Sequence, residues 1–190
     1  MDIPGLRDLQ AERAAVIETM ESLADDEFES GPTLCDGWAP RDVLAHLMGL
    51  DTQLFEYVKA KGNITAANQA IVDKARPQPR ARIMNRAHHW AKRPAPLVAG
   101  TAFLFLGDIG VHHQDVLRGL GRTRDVPDAI RGAILREGVV LGAKTLMAHK
   151  VAPTDGGRAI GRGPVVRGTS EALGLWLAGR KGIEDELEFV

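Results

Sequence analysis

Cysteine is nearly absent from this sequence: Cys35 stands alone among 190 residues. One thiol can close no internal disulfide and build no all-cysteine zinc site, and this usage fits a reducing compartment. An excess of charge of one sign is also lacking. Lysine plus arginine number 24 and aspartate plus glutamate 25, a formal net charge of −1. A protein built around nucleic-acid phosphates would show a basic excess. Long hydrophobic runs are missing as well: the longest, Pro96 to Gly107, is stopped by Asp108 and is too short to span a bilayer. The opening MDIPGLRDLQ lacks the basic and then apolar pattern of a secretory signal. No GxxxxGK[ST] phosphate loop and no GxSxG elbow occurs, and there is no internal repeat. The expectation is a soluble cytoplasmic protein that engages neither nucleic acid nor membrane.

What is present is an ordinary folding composition, 44% hydrophobic and 26% charged, in a chain long enough to form a core unaided. Leu6, Leu9, Val16, Met20 and Leu23 recur at helical spacing and predict a helix over about 4–24. Glu29 to Trp38 holds one proline and two glycines and reads as a loop. Pro40 suits the first turn of a second helix. Val43, Leu47, Leu50, Leu54 and Val58 form that helix's apolar stripe, and Gly62 and Asn63 its end. Ile64 to Lys74 fits a short helix, before a break at Arg76-Pro77-Gln78-Pro79. Further helices are expected over about 79–92, 97–118 and 127–149. Beyond Val151, five glycines separate short apolar stretches that read as small strands and turns. Ser170 to Gly179 reads as a short helix and Glu186 to Val190 as a last strand. The expected division is a helical bundle over 1–150 with a small α/β segment over 151–190 packed on it.

Two segments concentrate the chemistry: CDGWAPRDVLAHL, Cys35 to Leu47, and GDIGVHHQDV, Gly107 to Val116. His46 falls on the apolar face of its helix, three residues after Val43 and four before Leu50. Asp108 and His112 are four apart and share a face. A carboxylate and an imidazole one turn apart, with a second imidazole from a facing helix, make a three-ligand site of the kind bundles use for metals, with an open position for catalysis. The plainer alternatives are a satisfied core histidine and a helix-surface pair. Against these, Asp108 interrupts a very apolar stretch, where an unpaired carboxylate is costly. His113 is the rival to His112, turned about a hundred degrees away. Asp42 and Asp115 stand one turn from His46 and His112. Each is either a carboxylate holding the ring's other N–H or an ordinary surface acid. Cys35, Trp38 and Trp176 read as packing residues.

These residues resemble the mycothiol-dependent maleylpyruvate isomerase family of the DinB-like superfamily. Its C-x-G-W-x-x-x-D-x-x-x-H-L motif reads here as Cys35, Gly37, Trp38, Asp42, His46 and Leu47. Its E-x-x-x-H-x-x-D motif reads as Asp108, His112 and Asp115, with aspartate where the family typically has glutamate. The segment Val166 to Arg180 looks like the family's C-terminal part. The resemblance implies a mainly α, DinB-like up-down four-helix bundle with an additional helix and a small mixed α/β C-terminal segment. It implies metal ligation by His46, Asp108 and His112.

The function implied is that of a metal-dependent enzyme using a low-molecular-weight thiol, mycothiol, to isomerise a small electrophilic substrate or transfer thiol to it. Zinc is the first candidate ion, with nickel or another divalent ion as alternatives, since nitrogen and oxygen ligands suit several. The basic helix near Arg80 to Arg93 reads as a solvated face, or as a place where Arg82 holds a substrate carboxylate. Two further readings stand beside the enzyme: a bundle that keeps its metal without turnover, and a metal-free bundle that takes a small ligand or partner. An exposed apolar bundle face would suit a homodimer.

Overall fold

The computed structural model describes residues 3–61 and 63–190, with Leu54 and Tyr57 described by backbone alone. The expected helix end at Gly62 lies outside the described residues. The contacts divide the chain into two compact units, Met1–Phe105 with His112–Arg124, and Leu106–Val111 with Asp125–Val190.

The first unit is helical. It holds α1 (Leu6–Ser22), α2 (Asp25–Ser30), α3 (Pro40–Thr52), α4 (Leu54–Lys59), α5 (Ile64–Ala75), α6 (Arg80–Lys92) and α7 (Pro96–Gly100). A long helix, α8 (Ala102–Gly119), runs without interruption through residues of both units. α1 buries Leu9, Val16, Ile17 and Met20, the stripe its sequence spacing predicts. α3 begins at Pro40, and its N-terminal amides are met by Asp42, whose Oδ2 accepts from Ala39 N at 3.2 Å. α6 lies between Pro79 and Pro94; it buries Ile83, Ala87 and Trp90, exposes Arg82 and Lys92, and sends Arg80 back to the carbonyls of Met20 and Leu23.

Three expected helices are each broken in two. The one after Pro40 breaks at Gln53 (φ −126°, ψ 32°), the one over 97–118 at Thr101 (φ −123°, ψ 30°) and the one over 127–149 at Gly142. Gly142 is also a point of close approach, where a Cβ would lie 2.8 Å from Leu177 O. α2 carries no periodic signal, because a six-residue helix anchored by the single buried Phe28 is too short to show one.

The second unit packs α9 (Asp128–Leu141) and α10 (Ala143–Ala148) with a small sheet and α11 (Ser170–Leu177). The strands are β1 (Lys150–Pro153), β2 (Ile160–Gly161), β3 (Val165–Gly168) and β4 (Glu188–Phe189), in the order β2-β1-β3-β4. β1 and β3 are parallel, and the outer pairs are antiparallel. Val151, Val166, Leu173 and Leu177 form its core, with Leu135, Val139 and Leu146 packed against them. α9 and α11 touch backbone to backbone: a Cβ on Gly138 would meet Gly174 O at 2.3 Å. This contact lies within the second unit. α9 and α10 group with the sheet, not with the bundle. Among the described residues no helix is long and apolar enough to cross a membrane.

Candidate metal centre

α3 and α8 supply the histidines. His46 is 2% exposed and His112 9%, and their rings meet edge to face with centroids 4.7 Å apart. Asp108 sits one turn before His112 on the continuous α8, half-buried. One ligand atom each from His46, Asp108 and His112 lie within 4.8 Å of one another. Two imidazole nitrogens and a carboxylate oxygen are the donor set of many catalytic divalent-metal sites, so these residues fit such an ion.

Behind His112 lies a second cluster. Its Nδ1 is 2.9 Å from Asp115 Oδ2, and Asp115 is fully buried. The Cys35 thiol donates to the same oxygen at 3.0 Å and lies 3.4 Å from His112 Nδ1. Cys35, His112 and Asp115 are therefore also close enough to hold an ion. Burial pushes the Cys35 thiol above its ordinary range; the neighbouring carboxylate adds to this, and the contact with His112 works against it. A thiol held protonated is a weak nucleophile, in keeping with the packing role read from the sequence. What the sequence reading missed is which carboxylate that thiol meets, because residues 35 and 115 are far apart in the chain.

The other expected residues fall in different places. His113 points into a separate buried network, with Nδ1 2.8 Å from Glu12 and Nε2 2.8 Å from Thr19 Oγ1. Asp42 is committed to the start of α3. Besides capping Ala39, it accepts from Arg76 Nε at 3.2 Å and from the Arg76 terminal nitrogen at 3.1 Å. It acts as a helix-start acid, not as a carboxylate behind His46. Arg82 is exposed on α6. Trp38, expected to be core, instead packs on both histidines, with ring centroids 5.2 Å from His46 and 6.1 Å from His112. Its Nε1 donates to Gln69 Oε1 at 3.1 Å. Trp38 and Cys35 also border a cleft of about 380 Å³ reached past Thr33, Asp36 and Gly37. Trp176 is a packing residue of the second unit, against His149 and Phe189.

A helical protein with two histidines and a carboxylate gathered on facing helices is the class that fold and site define. Within that class, residues 9–95 match the family model described as the mycothiol maleylpyruvate isomerase N-terminal domain, the family the motifs resemble. The matched stretch contains His46 and ends before α8. Two solved structures have the same fold, those of the mycothiol-dependent maleylpyruvate isomerase and of a point mutant of it. Their TM-scores are 0.70 and 0.69, over 97% of this chain and 90% of theirs, at 14% identity. At that identity the likeness concerns the fold. No curated protein matches the sequence.

Proposed function

We propose that the protein is a metal-dependent enzyme that uses a low-molecular-weight thiol, mycothiol by family resemblance, to isomerise a small electrophilic substrate or to transfer thiol to it. The observation that carries this reading is the convergence of His46, Asp108 and His112 within 4.8 Å, on a chain whose residues 9–95 match a family bearing that activity in its description. Of the two clusters that share His112, the one with His46 and Asp108 suits the ion. In the other, Asp115 already accepts from His112 Nδ1 and from Cys35. A divalent cation, zinc first, would supply positive charge that favours the thiolate form of a bound thiol.

The chain's own residues do the rest. Asp115, beside Nδ1 of His112, orients the ring and would favour the tautomer that leaves its other nitrogen for the ion. Cys35 holds Asp115 from the other side. Trp38 covers both imidazoles and limits water at the cluster, and the cleft beside it is the route for small molecules. The reading includes a cytoplasmic location. It also includes a homodimer, for which the exposed apolar side chains Leu97, Phe103 and Leu104 are the support.

The test is to incubate zinc-loaded protein with mycothiol and maleylpyruvate and follow both trans product and thiol conjugate by chromatography. Trans product with thiol regenerated identifies an isomerase, and an accumulating conjugate identifies a transferase. A protein that binds zinc and mycothiol yet yields neither product, with maleylpyruvate and with a panel of small electrophiles, contradicts the enzyme reading.

A further inference from the structure

A second cavity, of about 460 Å³, lies at the C-terminal ends of α3 and α6, within the first unit. Its volume is in the range of small-molecule sites. Met48 and Trp90, both nearly buried, form its apolar wall, and Arg86, His89 and Arg93 line it from α6. Positions 86, 89, 90 and 93 are spaced i, i+3, i+4 and i+7, so one face of α6 presents all four. Met48 comes two residues after His46, which is about 200° round the helix. The cavity therefore opens on the face of α3 away from the metal cluster.

The charge here is unbalanced. Asp51 also lines the cavity, but its carboxylate is fully engaged. Both terminal nitrogens of Arg13 donate to it, at 3.0 and 2.7 Å, as do Trp90 Nε1 at 3.3 Å and Ala95 N at 2.9 Å. Arg13 neutralises that acid from within the core, where it is 1% exposed. Among the described residues, Arg86, His89 and Arg93 have no carboxylate partner; the one side-chain hydrogen bond of Arg86 goes to Gln78 Oε1 at 3.1 Å. Two guanidinium groups beside an apolar wall, with the local acid already matched, suit a ligand that brings its own negative charge. A guanidinium meets a carboxylate through two parallel hydrogen bonds.

We infer that this cavity binds a small organic carboxylate, its charged end on Arg86 and Arg93 and its apolar body against Trp90 and Met48. The site is separate from the proposed metal centre and does not depend on it. Calorimetric titration of the whole protein with benzoate tests it, with benzamide as the uncharged control of the same shape. Benzoate is expected to saturate a single site. Its affinity should fall about tenfold or more in Arg86→Gln and in Arg93→Gln, the loss of one charge-assisted hydrogen bond. Among the described residues Arg93 has no side-chain partner to lose, so that variant separates binding from folding. Benzamide should bind at least about tenfold more weakly for the same reason, and His46→Ala should bind benzoate as the wild type does. Absence of saturation, equal binding of benzamide, or unchanged affinity in both arginine variants overturns the inference. Loss of binding in His46→Ala would also overturn it, because the ligand would then belong to the metal cluster.

Discussion

Asp115 has no exposed surface and two donors on one oxygen, the His112 ring and the Cys35 thiol. A carboxylate so placed sets the orientation and basicity of the imidazole in front of it, and partners of this kind are worth about 10–100-fold in metal affinity. Asp115→Ala should therefore weaken zinc binding by about 10–100-fold in competition with a chromophoric chelator. Cys35→Ser keeps a donor for Asp115 and should leave the affinity near that of the wild type. Full affinity in Asp115→Ala would mean that the carboxylate serves packing alone. Asp42 is the contrasting case. It too sits one turn from a histidine, yet Arg76 and the Ala39 amide take up its oxygens. Each acid lies about one helical turn from its histidine, Asp42 four residues before His46 and Asp115 three after His112. What separates them is a partner from a distant segment, which spacing does not report.

Between elements, the contact of α1 with the C-terminal half of α8 is a buried polar network. Glu12 and His113 are 2% and 1% exposed. Arg124 pairs with Glu12, and Thr19 closes the ring of partners around His113. Burial lowers the pKa of His113, and the Arg124 charge adds to this, although the hydrogen bond His113 donates to the Glu12 carboxylate pulls it up. Burial alone would raise Glu12, but its hydrogen bonds to His113 and Arg124 bring it below its ordinary value. Both shifts act in the same direction. The unfolded chain takes up a proton on His113 near pH 6.5 while the folded chain does not, so stability is full above about pH 6.5 and declines below it. Glu12 adds a further loss once the pH passes below about 4.3. Urea midpoints of chelator-treated protein should fall from pH 7.5 to 5.5, and fall less in His113→Gln. The same decline in both proteins would remove His113 from the explanation.

At the scale of the whole molecule, much was legible in the sequence. The stripes of α1 and α3 were readable because apolar residues recur with helical period, and the prolines at 40, 79 and 94 mark ends, which is how α6 was placed. The pairing of Asp108 with His112 was readable from one helical turn. The facing of His46 onto His112 was expected from motif resemblance and from the apolar face His46 shares. The breaks at Gln53 and Thr101 left no mark, since neither is a proline or a glycine. The close approach at Gly142 and the grouping of α9 with the tail involve α11, whose glycine at 174 admits the α9 backbone only in three dimensions. Trp38 over both imidazoles, and Cys35 on Asp115, are likewise products of long-range folding.

The central claim is that His46, Asp108 and His112 hold a divalent ion. It is tested most directly by the metal content of untagged protein purified without chelator and then offered zinc, wild type beside His46→Ala and His112→Ala. The account predicts about one ion per chain in the wild type and its loss in both variants, since each ligand of a three-residue site is needed for tight binding. No ion in the wild type after zinc is offered, or an ion kept in both variants, would contradict it.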